Sequence, residues 1–342
     1  MRQRYHYSYW KISDFCGKFK PVRAALLVLL FVLPCLLSAS WPQHDIPAKP
    51  YTNSFFATVD SIRIHYRVWN GEMQHPKGKV LLIHGFCGST FCWRNNFDAL
   101  AAAGYLVVAV DLPGFGYSGR SSTLNQSQSN RARMIWEMIE QIDPDEHSAW
   151  NIVGHSMGGG TAEAVALTRP ERTKSLVIVD GMIFIKNNNI NVTVVGLVNH
   201  PVYKQMLLDY TQNSYLSYNK LRRTLKSTYG FLPDTLTTNG YWEPLQIDGT
   251  AETVVNLIAN SNEIRELDAK GLANMPVLVI WGKKDRTIGL STGKKLQRTV
   301  PSVELKIIHD ARHMPMETHA EEFNRLVLEF LGRNNIGDSV TR

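Results

Sequence analysis

Cysteine is scarce in this chain: four in 342 residues, of which Cys16 and Cys35 lie in the first forty. No Cys/His spacing matches a metal site, and the chemistry read from the residues below needs no metal and no cofactor. Beyond residue 40 only Cys87 and Cys92 remain. Five residues apart across a helix start is poor geometry for a bridge, and both are expected as free thiols packed like small hydrophobes. Long apolar runs are missing as well. The run at residues 24–37 falls short of the ~20 residues that a membrane span needs. There is no internal repeat, and no low-complexity tract beyond Asn187-Asn-Asn189.

A uniform charge excess is also absent. The formal charge is +7, but residues 1–40 carry Arg2, Arg4, Lys11, Lys18, Lys20 and Arg23 against the single acid Asp14, a net of +5. The remaining +2 is ordinary for a folded domain and gives no support to a nucleic-acid partner. A basic flank, the apolar stretch and then Ser38-Ala39-Ser40 have the layout of an export signal. Two readings of residues 1–40 follow: a cleaved leader, or an uncleaved anchor attaching the chain to a membrane through residues 22–40, with the rest outside the cytoplasm. A cytosolic protein with a buried N-terminal helix is the bland alternative. Pro34 stands where a lipoprotein signal would have a small residue, so Cys35 is not read as a lipid site.

What is present is a rhythm of strands and helices. Residues 41–54, with three prolines, predict an extended linker. Residues 55–59 and 62–68 alternate and predict a hairpin. Short apolar runs at 80–83, 107–110, 151–153, 176–179 and 277–280 mark strands, most of them covered on both faces, and 303–308 is read as a further strand. Helices are predicted at 96–103, 131–142, 157–169, 292–300 and 321–331. The pattern predicts an α/β fold with a mostly parallel central sheet and helices on both faces. The core divides as 55–182 and 268–332, with a tail at 333–342. Between them, residues 183–267 carry six tyrosines and Trp242, the basic cluster Arg222, Arg223 and Lys226, and helical periodicity without a parallel-strand run. A segment that long is not a loop, and it is read as an inserted helical cap.

The chemistry gathers at Gly154-His155-Ser156-Met157-Gly158, placed where a strand gives way to a helix. There the turn is sharp, the flanking positions must be nearly free of side chain, and the serine hydroxyl is left exposed. A serine needs an adjacent base, itself oriented by an acid. His313 lies in the polar loop after the last strand, and Asp285, in Trp281-Gly-Lys-Lys-Asp285, follows the strand before it. His309 competes with His313 but is read as still on the strand. Asp180 competes with Asp285 and otherwise caps the turn into the cap. The oxyanion donors are expected to be the main-chain N–H groups of Met157 and Phe86, the latter in His84-Gly85-Phe86-Cys87-Gly88. His84 and His155 are read as bracing these loops. Trp93 is a candidate for lining the substrate pocket, or else for stapling a helix start.

His84-Gly85-Phe86, Asp111-Leu-Pro-Gly-Phe-Gly-Tyr-Ser118, Gly154-His-Ser-Met-Gly158, Gly282-Lys-Lys-Asp285 and His313-Met-Pro together resemble the α/β-hydrolase superfamily across residues 55–331. The resemblance implies that fold, a Ser156–His313–Asp285 triad, and a structural role for Asp111. The superfamily's epoxide hydrolases and haloalkane dehalogenases carry Asp where this chain has Ser156, which argues against both. Its carbon–carbon bond hydrolases share the layout but often carry Asn at the position of His155. The nearest likeness is to capped carboxylesterases and monoacylglycerol-lipase-like enzymes. The expected activity is hydrolysis of small carboxylic esters with an apolar acyl chain or ring, because Phe86, Phe91, Trp93 and the cap aromatics offer an apolar lining. Carbon–carbon hydrolysis, peracid formation, and a binding protein with a vestigial triad are the alternatives.

Overall fold

The structure, a computed structural model, describes residues 45–182, 200–259 and 268–335. The leader reading, part of the linker, the first part of the cap segment, residues 260–267 and most of the tail lie outside the described residues. Among the described residues no helix is long and apolar enough to cross a membrane.

Among the described residues eight strands form one sheet: β1 (Ser54–Val59), β2 (Ile62–Trp69), β3 (Lys79–Ile83), β4 (Leu106–Val110), β5 (Trp150–His155), β6 (Thr173–Val179), β7 (Val277–Gly282) and β8 (Glu304–Ile308). Their spatial order is β1-β2-β4-β3-β5-β6-β7-β8. β1 pairs with β2, and β2 with β4, antiparallel; every other pair is parallel. The chain therefore steps one way from β3 to β4 and the other way from β5 onward. Such a reversal leaves a crevice at the carboxyl ends of the strands, where ligands of open α/β sheets bind.

The uninterrupted apolar runs are explained by two cores, one on each face. Leu81, Ile83, Val108, Val110, Ile152 and Ile178 pack on one side against α2 (Gln128–Ile142) and α3 (Met157–Thr168). Val80, Leu82, Val107, Val153 and Val177 pack on the other side, with α1 (Phe97–Ala102) and, at the chain's end, Phe323, Val327 and Phe330. Side chains alternate across a strand, so one apolar run feeds both cores. α2 begins three residues earlier than its apolar periodicity predicts. The Ser127 hydroxyl caps it by accepting the Asn130 N–H at 3.2 Å, and polar Gln128 to Asn130 form its first turn.

The described part of the segment between β6 and β7 is helical: α4 (Pro201–Tyr210), one wide turn at Thr211–Tyr215, α5 (Tyr218–Tyr229), α6 (Thr235–Leu245) and α7 (Thr250–Ala259). α5 ends at Gly230, whose φ of +93° favours glycine. Leu221, Leu225 and Tyr241 of this segment join the core on the α1 side, while Arg222, Arg223 and Lys226 point outward. After β7 come α8 (Ser291–Thr299) and, following β8, α9 (Pro315–Thr318) and α10 (Ala320–Asn335).

Candidate active site

β5 ends at His155 and α3 starts at Met157, leaving Ser156 alone on the turn, with φ +54° and ψ −121°. Left-handed backbone is costly for a residue with a Cβ, and the packing around the turn enforces it. A Cβ on Gly158 would collide with the carbonyls of Ile83 and His84, and one on Gly154 with the carbonyl of Gly158. Those two glycines let α3 lie hard against β5 and the loop after β3.

The structure brings Ser156, His313 and Asp285 together. His313 Nε2 is 2.9 Å from Ser156 Oγ, and His313 Nδ1 is 2.7 Å from Asp285 Oδ2. The other Asp285 oxygen accepts the N–H groups of Thr287 (2.7 Å) and Ile288 (3.2 Å). With Nδ1–H donated to Asp285, Nε2 is left as the acceptor that a serine-activating base requires. The His313 main chain is fixed from two sides. Its N–H donates to the Thr228 carbonyl at 3.0 Å, and its carbonyl accepts His155 Nε2–H at 2.7 Å. Burial, and then the neighbouring His313, push His155 well below the usual histidine range, so it is a neutral brace.

Gly85 approaches Ser156 so closely that a Cβ there would lie 2.9 Å from the serine Cβ. Phe86, the next residue, lines the same cavity as Ser156. Met157 is the first residue of α3, so its N–H has no intrahelical acceptor. The loop is braced by His84, whose Nδ1–H donates to the Gly85 carbonyl (2.7 Å) while Nε2 accepts the Leu112 N–H (2.9 Å). Asp111 ties the same loop to the next, accepting from the N–H groups of Thr90 and Tyr117 and from His65 Nδ1 at 2.7 Å. His65 Nε2 in turn meets Ser54 Oγ at 2.7 Å. This second Ser–His–Asp chain is buried throughout, and the Ser54 hydroxyl also accepts the Tyr51 N–H. It is an internal strut.

A cavity of about 120 Å³ opens onto Ser156 and His313, lined by Phe86, Cys87, Cys92, Tyr215, Leu225 and Tyr241 among others. Burial pushes the Cys92 thiol, and that of Cys87, well up, so neither is a nucleophile. Both are free.

Three expectations are corrected. Trp93 does not face the cavity. It is fully buried with its ring 6.3 Å from Phe323, because the tight turn at Thr90–Trp93 sends Cys92 to the cavity and Trp93 into the core beneath α10. His309 lies just past β8, exposed, with Nδ1 3.4 Å from Lys283 Nζ. Asp180 does not cap the turn toward the cap; its Oδ1 accepts the Gly282 N–H at 3.0 Å, across to β7. Phe91 stands behind the lining, edge-on to Tyr241 at 5.7 Å.

Sequence reasoning missed Glu317 and Thr228. Glu317 is buried and accepts from Arg94, Tyr229 and Tyr241. Its one visible signal is an acid in a helix first turn, which also describes many surface residues.

A family model described as "alpha/beta hydrolase fold" matches residues 79–320. The chain is 27% identical over 292 residues to a 2-hydroxy-6-oxononadienedioate/2-hydroxy-6-oxononatrienedioate hydrolase of Cupriavidus pinatubonensis, covering 82% of this chain and 95% of that one. Among solved structures it is similar to a candidate lipase from Acinetobacter baumannii AYE, with TM-score 0.65 and 25% identity over 83% of this chain and 92% of that one. The bromoperoxidase of Bacillus anthracis shares the fold at TM-score 0.64 and 24% identity, covering 82% and 99%. Matched over most of its length, and with the sheet order just described, the chain belongs to the α/β-hydrolase family and is a hydrolase.

Proposed function

We propose that this hydrolase cleaves uncharged carboxylic esters through an acyl-enzyme. The observation that carries this reading is the cavity beside Ser156, whose described lining contains no Lys, Arg, Asp or Glu. A ~150 Å³ apolar cavity takes a benzene, so about 120 Å³ suits one ring or a short acyl chain. Ser156 Oγ attacks the ester carbonyl carbon while His313 Nε2 takes the hydroxyl proton. The Met157 and Phe86 N–H groups receive the negative charge on the carbonyl oxygen. Collapse breaks the C–O bond and returns the proton to the departing alcohol. Water, deprotonated by the same imidazole, then attacks the acyl carbon and releases the acid. The likeness to the candidate lipase supports this bond.

A second reading rests on the relative's name, and the sequence comparison favours it over an ester. A 2-hydroxy-6-oxononadienedioate holds neither ester nor amide, so its hydrolase adds water across a carbon–carbon bond next to the ketone. Its two carboxylates call for cations in the site, and the described lining offers none. A carbon–carbon substrate of this chain is therefore expected to be less charged.

The test is labelling with a fluorophosphonate, with Ser156→Ala as control, followed by p-nitrophenyl esters of rising chain length beside a vinylogous diketone. Serine-dependent labelling with ester turnover well above diketone turnover supports the ester reading. The reverse ranking replaces it with the second, and no labelling leaves a binding protein. The proposal extends to residues 1–40 as an export signal or membrane anchor, supported by their sequence alone. Fractionating cells that express the chain with and without them tests this.

A further inference from the structure

Directly behind the triad lies a second carboxyl group. Asp180 follows β6 at φ +42° and is fully buried. Its N–H donates to the Ile280 carbonyl at 3.0 Å, and its Oδ1 accepts the Gly282 N–H at 3.0 Å. Its Oδ2 is buried and, among the described residues, has no hydrogen-bond partner. A carboxylate oxygen from Asp180, one from Asp285 and a ring nitrogen of His313 all lie within 4.8 Å of one another. Two carboxylates this close in a dry site do not both carry charge. Asp285 already receives three donors, two N–H groups and the imidazole, and is the one suited to hold it. The orphaned oxygen belongs to a carboxyl group whose neighbour, Asp285, offers only acceptors, and it is satisfied there only if it bears a hydrogen.

We propose that Asp180 is a positioning residue: a neutral carboxylic acid whose O–H donates to the Asp285 carboxylate and holds that acid against His313 without adding a second negative charge beside the imidazole. The proposal rests on the triad reading above. Burial, followed by the proximity of Asp285, drives the Asp180 carboxyl well above the usual carboxylate range, in keeping with the geometry. The titratable groups around it are Asp285 from the loop after β7 and His313 from the loop after β8, with His155 of the elbow beyond, its ring centroid 4.9 Å from that of His313. The arrangement has a catalytic use. An imidazole facing two negative charges would keep its proton and be lost as a base, whereas one facing a single, hydrogen-bonded carboxylate can take a proton from Ser156 and return it.

The test is the pH dependence of kcat/KM in Asp180→Asn and Asp180→Leu. Asn replaces the O–H by an N–H donor, and the acid limb is expected to stay where it is in the parent. Leu removes the donor, concentrates charge on Asp285, and is expected to move the acid limb up by roughly half to one pH unit. A downward move in Asp180→Asn would mean that Asp180 is charged in the working enzyme, and overturns the proposal. So does an unmoved limb in Asp180→Leu, which a purely packing role would give. If the Leu variant does not fold, infrared difference spectra of the parent against Asp180→Asn at neutral pH decide: a protonated-carboxyl C=O band in the parent supports the proposal, and its absence refutes it. That arm needs no turnover, so it separates this inference from the ester reading.

Discussion

The Tyr241 hydroxyl donates to the Glu317 carboxylate, which also takes the Tyr229 hydroxyl at 2.5 Å and the Arg94 guanidinium. One buried acid, four residues past His313, thus ties two cap helices, the loop after β3 and the base loop together. Removing it strands a guanidinium and two hydroxyls in the interior. Glu317→Ala is expected to cost about 3–5 kcal/mol in urea unfolding. Tyr241→Phe loses one hydrogen bond, about 1 kcal/mol. Because Tyr241 lines the cavity, that change should raise KM more than it lowers kcat.

Ser156→Ala should abolish fluorophosphonate labelling and lower kcat by about six orders of magnitude. Asp285→Asn should lower kcat about 10⁴-fold, because an amide facing Nδ1 no longer enforces the tautomer that leaves Nε2 as acceptor. Steady-state kinetics, with circular dichroism to confirm folding, check both. A loss in Asp285→Asn of less than tenfold would remove that residue from the triad.

Stability should fall as the solution is acidified below about pH 6.5, the ordinary histidine value. His155 is held well below that value by burial and by His313, and burial lowers His84 as well. The unfolded chain then binds protons that the folded chain cannot, and each such group removes about 1.4 kcal/mol per pH unit. Asp180 works in the opposite sense: its raised value means that the folded chain holds a proton which the unfolded chain has released. Urea unfolding between pH 5 and 6 should therefore show a shallower pH slope in His155→Gln and a steeper one in Asp180→Asn, each by about 1.4 kcal/mol per unit.

Two glycine substitutions should act in opposite directions. Gly158→Ala drives a methyl group into the carbonyls of Ile83 and His84, backbone that cannot yield, and should cost about 3 kcal/mol. Gly332→Ala meets nothing within 4 Å among the described residues and should add about 0.5–1 kcal/mol through the helix propensity of α10. Thermal melts of the two variants beside the parent test the contrast.

The inner parallel strands were legible because they are buried on both faces, which leaves runs such as Val80 to Ile83 without a polar interruption. Ser156, Asp285 and His313 were legible for a related reason: each follows a strand, and in a parallel sheet all such loops emerge at one edge. Trp93 was misread because a single tight turn, with no period to follow, decides whether it or Cys92 meets the cavity. The proximity of Asp180 to Asp285 depends on β6 and β7 being neighbours, and a chain with the whole cap segment between them does not announce that pairing. Glu317 finds its three partners at separations of 76 to 223 residues, where local pattern carries no information.

The bond from the His313 N–H to the Thr228 carbonyl has a consequence for how such an enzyme can diversify. The peptide that shapes the entrance for substrate is also a seat for the residue that shuttles the proton. Grafting a foreign insert between β6 and β7 would exchange both at once, so a chimera selected for a new substrate preference must also import a carbonyl at the end of α5 or surrender turnover. Selectivity and rate are inherited here as one trait.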